Sequence, residues 1–292
     1  MQKNIILKFD PSELEERAKF HFIKICGFDR NPVKFKKMLD MGLKVLESIQ
    51  DRIAVRVSIS EYPSNVVQGN QIKIDDKIFI SNALEQLDQE KIIKVYSYLM
   101  TSGDIGPLGE TDSMMDDFYK DTWGTAYIDG GRDLLKEWIY EENKKSKVES
   151  QVETKAGLQG KIEAETKAES QGKSKEENNF EENEIVISDS FGPGFYGMDI
   201  SYIKDFFSFM NNEEIGMSLM ESGMMLPMKS FAGFFIVMEK GSKLPESTCQ
   251  NCIMKTKSCV FCRMSRKSEI ETKEKQEKQE KREYEMGIRG KR

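Results

Sequence analysis

"SLMESGMMLPMKSFAGFFIVM", residues 218–238, is the stretch of sequence on which the fold assignment depends. Its last part, residues 231–238, is an apolar run rich in aromatic and β-branched side chains, which predicts a β-strand. Gly223 and Pro227 indicate turns before this strand. The five methionines of the stretch have two interpretations, gap filling in a hydrophobic core or the wall of a cofactor pocket. Core packing explains most of them, and the Met224-Met225 pair is the candidate for a pocket wall.

The composition of the 292-residue chain indicates a globular part diluted by polar segments. Hydrophobic residues make up only 38% of the chain, whereas charged residues make up 32%. The formal net charge of −6 is unevenly distributed, because residues 249–292 carry 13 Lys and Arg against 7 Asp and Glu. An acidic body with a basic tail is not typical of a dedicated nucleic-acid binder, so nucleic acid is the least favoured partner.

The N-terminal sequence, MQKNIILKFDPSELEERAKF, has no signal-peptide core followed by a cleavage site. No apolar run approaches the roughly 18 residues of a membrane-spanning helix. We therefore expect a cytoplasmic protein without membrane contact. In that compartment, clustered cysteines bind metal or perform redox chemistry rather than form structural disulfides.

Capping signals and apolar periodicity predict both helices and strands in the first 140 residues. Asp10-Pro11 and Asn31-Pro32 each place a capping side chain before a proline, which indicates two helix starts. The Gly130-Gly131 pair is a candidate interruption of a later helix. The other predicted elements are strands at 53–59, 72–80 and 92–100, a short helix at 81–87 and a mostly helical segment at 111–140.

Residues 141–184 differ from their surroundings, because Glu, Lys, Ser, Gln, Asn, Ala and Gly dominate them. Within this segment ETKAGLQGK (153–161) returns as ETKAESQGK (165–173), a twelve-residue repeat. A partner-binding arm is one interpretation. A disordered low-complexity insertion is the favoured one, because the segment has too little apolar surface to fold.

Neither side of the insertion is complete by itself, because the second side has one convincing helix, at 199–210, beside strands at 184–188, 215–220 and 231–238. We therefore predict an α+β fold with a mainly antiparallel sheet and flanking helices, built as a single discontinuous domain from residues 1–140 and 185–245. A cysteine-rich segment, residues 246–264, and a charged tail, residues 265–292, are predicted to follow.

The cysteine-rich segment contains two CxxC pairs within fourteen residues, CQNCIMKTKSCVFC. Two such pairs can bring four thiolates to one ion, and four sulfur ligands suit Zn²⁺ or an iron–sulfur centre equally. Metal binding is favoured over a redox dithiol or unligated thiols. The predicted ligands are Cys249, Cys252, Cys259 and Cys262.

A nucleophilic triad is disfavoured by the histidine content. His21 is the only histidine of the chain, and its nearest cysteine is Cys26, five residues on. Any Ser-His or Cys-His pair would need this one side chain. A packed or surface role is the favoured interpretation of His21.

The segment GPGFYGM, residues 192–198, places three glycines and a proline around two aromatic residues. Such a composition requires an irregular backbone, and glycine permits the close approach of a ligand. From the spacing alone, a tight connection whose aromatic rings fill the core is favoured over a ligand loop.

The order of these segments resembles the activation domain of cobalamin (vitamin B12)-dependent methionine synthase in its free-standing bacterial form. The segment IGMSLMESGMMLPMKSFAGFF (215–235) is similar to the signature run of that family, and FGPGFYGM occupies the place of its Pro-Gly-Tyr loop. Upstream, DDKIFISNALEQLDQEKIIKVYSYLMTSGDIG and YKDTWGTAYIDGGRDLL resemble the family's Thr-x-Gly entry and its Gly-rich helix. The resemblance covers residues 1–140 and 185–264.

The resemblance implies a module for methionine biosynthesis that binds S-adenosylmethionine and docks on a corrinoid-binding methyltransferase. A flavodoxin or ferredoxin-type protein would supply an electron, and methyl transfer from S-adenosylmethionine would restore the cobalamin that the partner carries. The resemblance leaves open whether any enzymatic step occurs on this chain alone. The cofactor-binding residues that it implies are Ser190, Pro193, Gly194, Phe195, Tyr196, Ser222, Lys229 and Ser230.

The chain departs from the family's Arg-x-x-x-Gly-Tyr motif at both ends. Ser190 stands where the family has the arginine that pairs with the ligand carboxylate, so a bidentate charged contact is lost. Phe195 stands at the tyrosine position, and Tyr196 follows one place later as a candidate substitute.

Two other functions fit parts of the sequence. One is a corrinoid-protein partner that delivers electrons through a cysteine-bound iron–sulfur cluster. The other is a binding module that uses a four-cysteine zinc knuckle and the basic tail, which would require salt-dependent retention on nucleic acid.

Overall fold

Strand β10 (Ser230–Glu239) is central to the main sheet of the computed structural model, which describes residues 4–106, 109, 113–162 and 185–245. It pairs on one side with β6 (Ile92–Thr101) and on the other with β7 (Ile185–Ile187). Beyond β6 follow β2 (Arg56–Pro63) and β1 (Ile5–Lys8), which gives the order β1-β2-β6-β10-β7. All four pairings are antiparallel, so the predicted α+β fold with a mainly antiparallel sheet is confirmed.

The remaining elements cover the two faces of this sheet. The helices are α1 (Pro11–Cys26), α2 (Pro32–Ile49), α3 (Met114–Ile162) and α4 (Ile203–Phe209). The minor strands are β3 (Val67–Gln68), β4 (Gln71–Ile74) and β5 (Lys77–Ile80), which form one sheet, and β8 (Ser218–Leu219) and β9 (Met225–Leu226), which form another.

Successive side chains of β10 enter two separate hydrophobic cores. Phe235 and Val237 pack with residues of α1, α2 and α3, whereas Phe234 and Ile236 pack with residues of α4 and the three-stranded sheet. All four side chains are fully buried. Side chains alternate between the faces of a strand, so a strand covered on both faces needs apolar residues at every position. This requirement explains the unbroken apolar run of residues 231–238.

The two predicted helix starts are observed. The Asp10 carboxylate accepts a hydrogen bond from the Ser12 backbone N–H at 2.9 Å, and the Asn31 side chain accepts from the Lys34 N–H at 3.0 Å. Gly27 ends α1 in the left-handed conformation, with φ of 70°. These caps satisfy backbone groups that a helix end leaves unpaired.

The expected interruption at Gly130-Gly131 is absent, because α3 runs through both glycines. The two residues serve packing instead. A β-carbon on Gly130 would lie 3.3 Å from the Ala18 nitrogen of α1, and one on Gly131 would lie 3.0 Å from a Val55 methyl carbon. The missing side chains therefore allow α3 to approach α1 and the sheet closely.

Some boundaries differ from those that the sequence predicts. The extended stretch at 72–80 is divided into β4 and β5 by a turn at Asp75, whose φ is 53°. The predicted strand at 215–220 is reduced to β8, and the helix at 81–87 is a 3₁₀ turn, Asn82–Gln86. Strand β1 gave no sequence signal, because its four residues are too few to show a period.

Helix α3 continues past residue 140 to Ile162, into the segment that the composition assigns to the insertion. Residues 163–184 lie outside the described residues, as do the cysteine-rich segment and the charged tail. The domain boundaries at 140, 185 and 245 stay predictions.

Gly233 of β10 lies directly beneath the chain segment that follows β7. A β-carbon at this position would lie 2.8 Å from the Phe191 carbonyl oxygen and closer still to the Ser190 hydroxyl oxygen. Backbone atoms cannot move aside as the end of a side chain can. The segment therefore reaches the strand only because residue 233 has no side chain.

Replacing Gly233 with alanine is expected to lower the free energy of unfolding by about 1–3 kcal/mol, because no space is left for a methyl group between β10 and the segment that follows β7. Strand propensity alone predicts the opposite, a higher free energy of unfolding, because glycine weakens the interior of a strand. Urea denaturation measures the change. Glu239→Ala, at an exposed position of the same strand, is the matched control and is expected to change stability by less than about 0.5 kcal/mol. A more stable Gly233→Ala protein would contradict this account of the contact.

Candidate functional site

An open pocket of about 320 Å³ lies between helices α1 and α3 and the segment that follows β7. This segment, residues 188–198, is called the glycine loop below. The pocket brings together charged residues from the two helices and residues of the glycine loop. Its lining residues are His21, Asp129, Arg132, Asp133, Lys136, Asp189, Ser190, Phe195 and Tyr196.

The glycine loop is fixed to β10 by backbone pairing. The Ser188 hydroxyl accepts a hydrogen bond from the Ile236 N–H at 3.0 Å, and the Phe191 N–H donates to the Phe234 carbonyl at 2.9 Å. Gly192 then passes over Ala232, whose carbonyl oxygen would clash with a β-carbon. The first half of the loop is therefore as rigidly placed as the sheet itself.

The second half of the loop turns through left-handed backbone conformations. Gly194 has φ of 86° and Tyr196 has φ of 51°. Tyr196 is buried, and its carbonyl accepts a hydrogen bond from the Ser81 hydroxyl at 2.5 Å, which helps to hold this conformation. Phe195 is 39% exposed at the pocket rim, with its ring 5.0 Å from that of Phe231.

One face of α3 supplies four of the charged residues, because Asp129, Arg132, Asp133 and Lys136 are three, four and seven positions apart. The Arg132 guanidinium lies over the Phe231 ring, 4.6 Å from its centroid. Its closest carboxylate oxygen belongs to Asp129, at 3.4 Å. Within the described part of the chain, the buried Nε of Arg132 has no hydrogen-bond partner. The guanidinium is therefore incompletely paired.

Two further side-chain contacts form the sides of the pocket. Nε2 of His21 lies 2.7 Å from the Asp133 carboxylate, so α1 and α3 are joined across the pocket. The Lys136 ammonium lies 3.4 Å from the Asp189 carboxylate, whose other oxygen accepts from the Tyr196 hydroxyl at 3.3 Å. Helix α3 is thus connected to α1 on one side and to the glycine loop on the other.

Burial and these partners shift the carboxyl groups in opposite directions. Burial raises the pKa of Asp129, and Arg132 and His21 offset this effect only in part. Burial also acts to raise the pKa of Asp133, but His21, Arg132 and Lys136 together outweigh it, so the pKa of Asp133 is lowered. Asp129 is therefore the carboxylate that a bound cation would stabilise most.

Three of the predicted binding residues, Ser190, Phe195 and Tyr196, come together in this pocket. The Ser190 hydroxyl is 2% exposed and accepts a hydrogen bond from the Tyr98 hydroxyl at 2.7 Å. Pro193 and Gly194 belong to the same loop but do not line the pocket, and they shape its backbone.

The other three predicted residues lie elsewhere. Lys229 lines a second open pocket, of about 530 Å³, beside the Gly103–Gly106 loop. Its ammonium lies 2.7 Å from the Asp121 carboxylate of α3, and its stem packs against Gly124. Lys229 is therefore held against α3, because Gly124 leaves space for its side chain. Ser230 bonds the Pro227 carbonyl at 2.6 Å, and Ser222 is exposed in the β8–β9 turn.

The sequence interpretation missed most of the charged lining. The helical spacing of the α3 residues was available as a signal, since their separations place them on one helix face. No local pattern indicates His21 or Asp189, which reach the pocket through tertiary packing. The missed residues are His21, Asp129, Arg132, Asp133, Lys136 and Asp189.

Cys26 does not extend this site. Burial raises the pKa of its thiol to about 11, so little thiolate forms near neutral pH. Its neighbour in sequence, His21, is engaged by Asp133. Neither group has the arrangement of an activated nucleophile.

Two remaining expectations concern metal and membrane. Across the described residues, no group of three or more His, Cys, Asp or Glu side chains could hold a metal ion. The four predicted ligands, Cys249, Cys252, Cys259 and Cys262, lie outside those residues, so the zinc or iron–sulfur site stays a prediction. No helix in the described ranges is long and apolar enough to cross a bilayer.

The comparisons with known proteins give a likeness of fold. No family model matches the sequence, and no curated protein matches it either. Among solved structures, the chain is similar to the crystal structure of the MetH reactivation domain bound to AdoHcy. The TM-score is 0.50 and the sequence identity 11%, over 83% of this chain and 81% of that chain. The chain therefore shares the architecture of a reactivation domain, in agreement with the α+β fold predicted from the sequence.

Proposed function

We propose that this chain is an accessory module that binds S-adenosylmethionine and serves in the reductive reactivation of a corrinoid methyltransferase such as cobalamin-dependent methionine synthase. The observation that carries the proposal is the charged pocket under the glycine loop. It occurs on a fold similar to that of a reactivation domain bound to AdoHcy, the demethylated product of S-adenosylmethionine.

The chemistry of the pocket fits this ligand. S-adenosylmethionine has an ammonium, a carboxylate and a sulfonium, so it carries one net positive charge. The lining has three aspartates against two permanent cations, Arg132 and Lys136. Among these five groups the carboxylates outnumber the cations by one, and this negative charge favours the sulfonium over the uncharged thioether of the product.

The rim of the pocket suits the adenosine part of the ligand. Phe195 presents an exposed aromatic ring on a loop whose neighbouring glycines leave the backbone open to close approach. An adenine ring stacked on Phe195 would gain the offset contact that aromatic pairs prefer. The protein would then supply position and electrostatics, while S-adenosylmethionine supplies the methyl group and the partner supplies the corrinoid.

The surface beside the second pocket is the proposed docking site for the corrinoid protein. Four apolar side chains of the β8–β9 region are between 38% and 48% exposed, namely Met220, Met224, Leu226 and Met228. This group is called the methionine surface below. Exposed apolar patches mark interaction sites, and flexible methionines adapt to a partner. Most methionines of the opening stretch therefore lie at a surface, contrary to the interpretation that core packing explains them.

Calorimetric titration of S-adenosylmethionine into the full chain is expected to show saturable binding that Gly194→Val weakens at least about tenfold. The left-handed backbone at Gly194 strains any β-branched residue and would displace Phe195 from the rim. Gly223→Val is the matched control. Gly223 has φ of 84°, and a β-carbon there would meet no atom within 4 Å among the described residues, far along the chain from the glycine loop.

If Gly223→Val weakens binding as much as Gly194→Val, general destabilisation explains both results. If the unaltered chain binds neither S-adenosylmethionine nor its demethylated product, the proposed ligand is wrong. Unfolding curves of both variants exclude loss of the folded state.

The docking proposal predicts that a Met224→Glu, Met228→Glu double variant loses association with a cobalamin-loaded methionine synthase fragment. Two carboxylates on the methionine surface would have to be desolvated in the interface. We expect the dissociation constant to rise at least about tenfold in analytical ultracentrifugation. Binding of S-adenosylmethionine should stay within about twofold of the original value.

Val33→Glu is the control for added negative charge, since Val33 is 90% exposed at the start of α2. Equal losses in the control and in the double variant would indicate non-specific repulsion and remove support for the methionine surface.

A further inference from the structure

The pocket contains an arginine on a different element from the one that the sequence resemblance points to. Position 190 is serine, and its hydroxyl is already bonded to Tyr98. Arg132 of α3 lines the same pocket, and it opposes the rise that burial causes in the pKa of the same Tyr98. A positive charge is therefore present in the pocket that Ser190 lines, although helix α3 supplies it and not the glycine loop.

We propose that Asp129 and Arg132, one helical turn apart on α3, form the subsite for the α-amino acid end of the ligand. Arg132 would bind the carboxylate, and Asp129 would bind the ammonium. This inference rests on the proposed function, because it assigns the orientation of S-adenosylmethionine in the pocket.

The pairing of Arg132 leaves room for a carboxylate. Its ion pair with Asp129 is 3.4 Å long, which is longer than the 2.7–2.9 Å of a strong charge-assisted hydrogen bond. The side chain is 22% exposed and lines the pocket. The ring of Phe231 supports the guanidinium from one side at 4.6 Å. A planar guanidinium held in this way is suited to bidentate binding of a carboxylate.

Asp129 complements this charge. Burial raises its pKa, so the ionised form lacks enough stabilising partners. An ammonium group would relieve this deficit. Asp133 instead has Nε2 of His21 at 2.7 Å, and Asp189 has two partners, the Lys136 ammonium at 3.4 Å and the Tyr196 hydroxyl at 3.3 Å. Asp129 and Arg132 are one helical turn apart, so their opposite charges lie side by side. The ammonium and carboxylate of an α-amino acid are adjacent in the same way.

Lys136 is the competing cation for the ligand carboxylate. Its ammonium contacts Asp189 and lies 5.9 Å from the Phe235 ring centroid, so it connects α3 to the glycine loop. A lysine acts as a point charge without the fork geometry of arginine. Arg132 is therefore the residue that we assign to carboxylate recognition.

The test compares three ligands that lose the charges of the amino acid end one after the other, the last of which also lacks the sulfonium charge. S-adenosylmethionine has both charges, decarboxylated S-adenosylmethionine keeps the ammonium, and 5′-methylthioadenosine has neither. Calorimetry on the full chain measures each affinity. Arg132→Gln is expected to weaken S-adenosylmethionine about 10- to 100-fold and to leave the other two ligands within about threefold. Asp129→Asn is expected to weaken the first two ligands and to leave 5′-methylthioadenosine unchanged.

Arg17→Gln is the matched control, because Arg17 also pairs with α3, through two 2.8 Å hydrogen bonds to Glu137, but does not line the pocket. All three affinities should stay within about twofold in this variant. Arg132→Lys keeps the charge and removes the fork, so a partial loss for S-adenosylmethionine alone is expected. Binding of 5′-methylthioadenosine by each variant shows that the pocket is still folded.

The outcomes separate the two proposals. If the unaltered chain binds S-adenosylmethionine and Arg132→Gln binds it equally well, the amino acid subsite is wrong and the proposed function stands. An equal loss for all three ligands also overturns the subsite, because it indicates a structural role. If the unaltered chain binds none of the three, both proposals are overturned.

Discussion

The close approach of the glycine loop to strand β10 determines where the loop residues of the pocket lie. Gly233 and Gly192 remove the two side chains that would hold the backbones apart. Phe191 can then pair with Phe234, and Ser190 comes to rest beside Tyr98. With that contact made, Asp189 and Phe195 reach the pocket over α3. The geometry of the site is thus inherited from main-chain packing, which is stiffer than any arrangement of side chains on a surface.

Helix α3 performs two tasks that require opposite chemistry. Its glycines and apolar residues allow tight packing on α1 and the sheet, while its charged face forms the pocket. Each charge on that face has a partner from another element or from the next turn, so none is isolated. Asp129 and Arg132 are the exceptions. In the described part of the chain, burial of Asp129 is only partly offset by its partners, and Nε of Arg132 has no hydrogen-bond partner. An incompletely satisfied pair beside a pocket costs stability, which is reasonable where a ligand completes the pairing.

The sequence predicted those features that local chemistry determines. Caps placed α1 and α2, the unbroken apolar run placed β10, and the family resemblance placed three pocket residues on one loop. The Gly130-Gly131 pair was misinterpreted, because the sequence alone does not distinguish a glycine that lets a neighbouring helix approach from a glycine that ends a helix. The contact of Lys229 with Gly124 had no local signal, since the two residues lie far apart in the sequence. The contacts of His21 with Asp133 and of Asp189 with Lys136 form through tertiary packing, so no local sequence pattern indicates them.

The alternation of β10 between two cores has a consequence for the alignment of the sheet. In a strand with one polar face, the hydrophobic pattern itself fixes the register, because a slip by one residue would expose the core side. Strand β10 is apolar on both faces, so its pattern discriminates poorly between neighbouring registers. Gly233 fixes the register instead. Every other residue between positions 230 and 239 has a side chain, which could not lie beneath Ser190 and Phe191. The residue that allows the glycine loop to approach therefore also fixes the register of the strand.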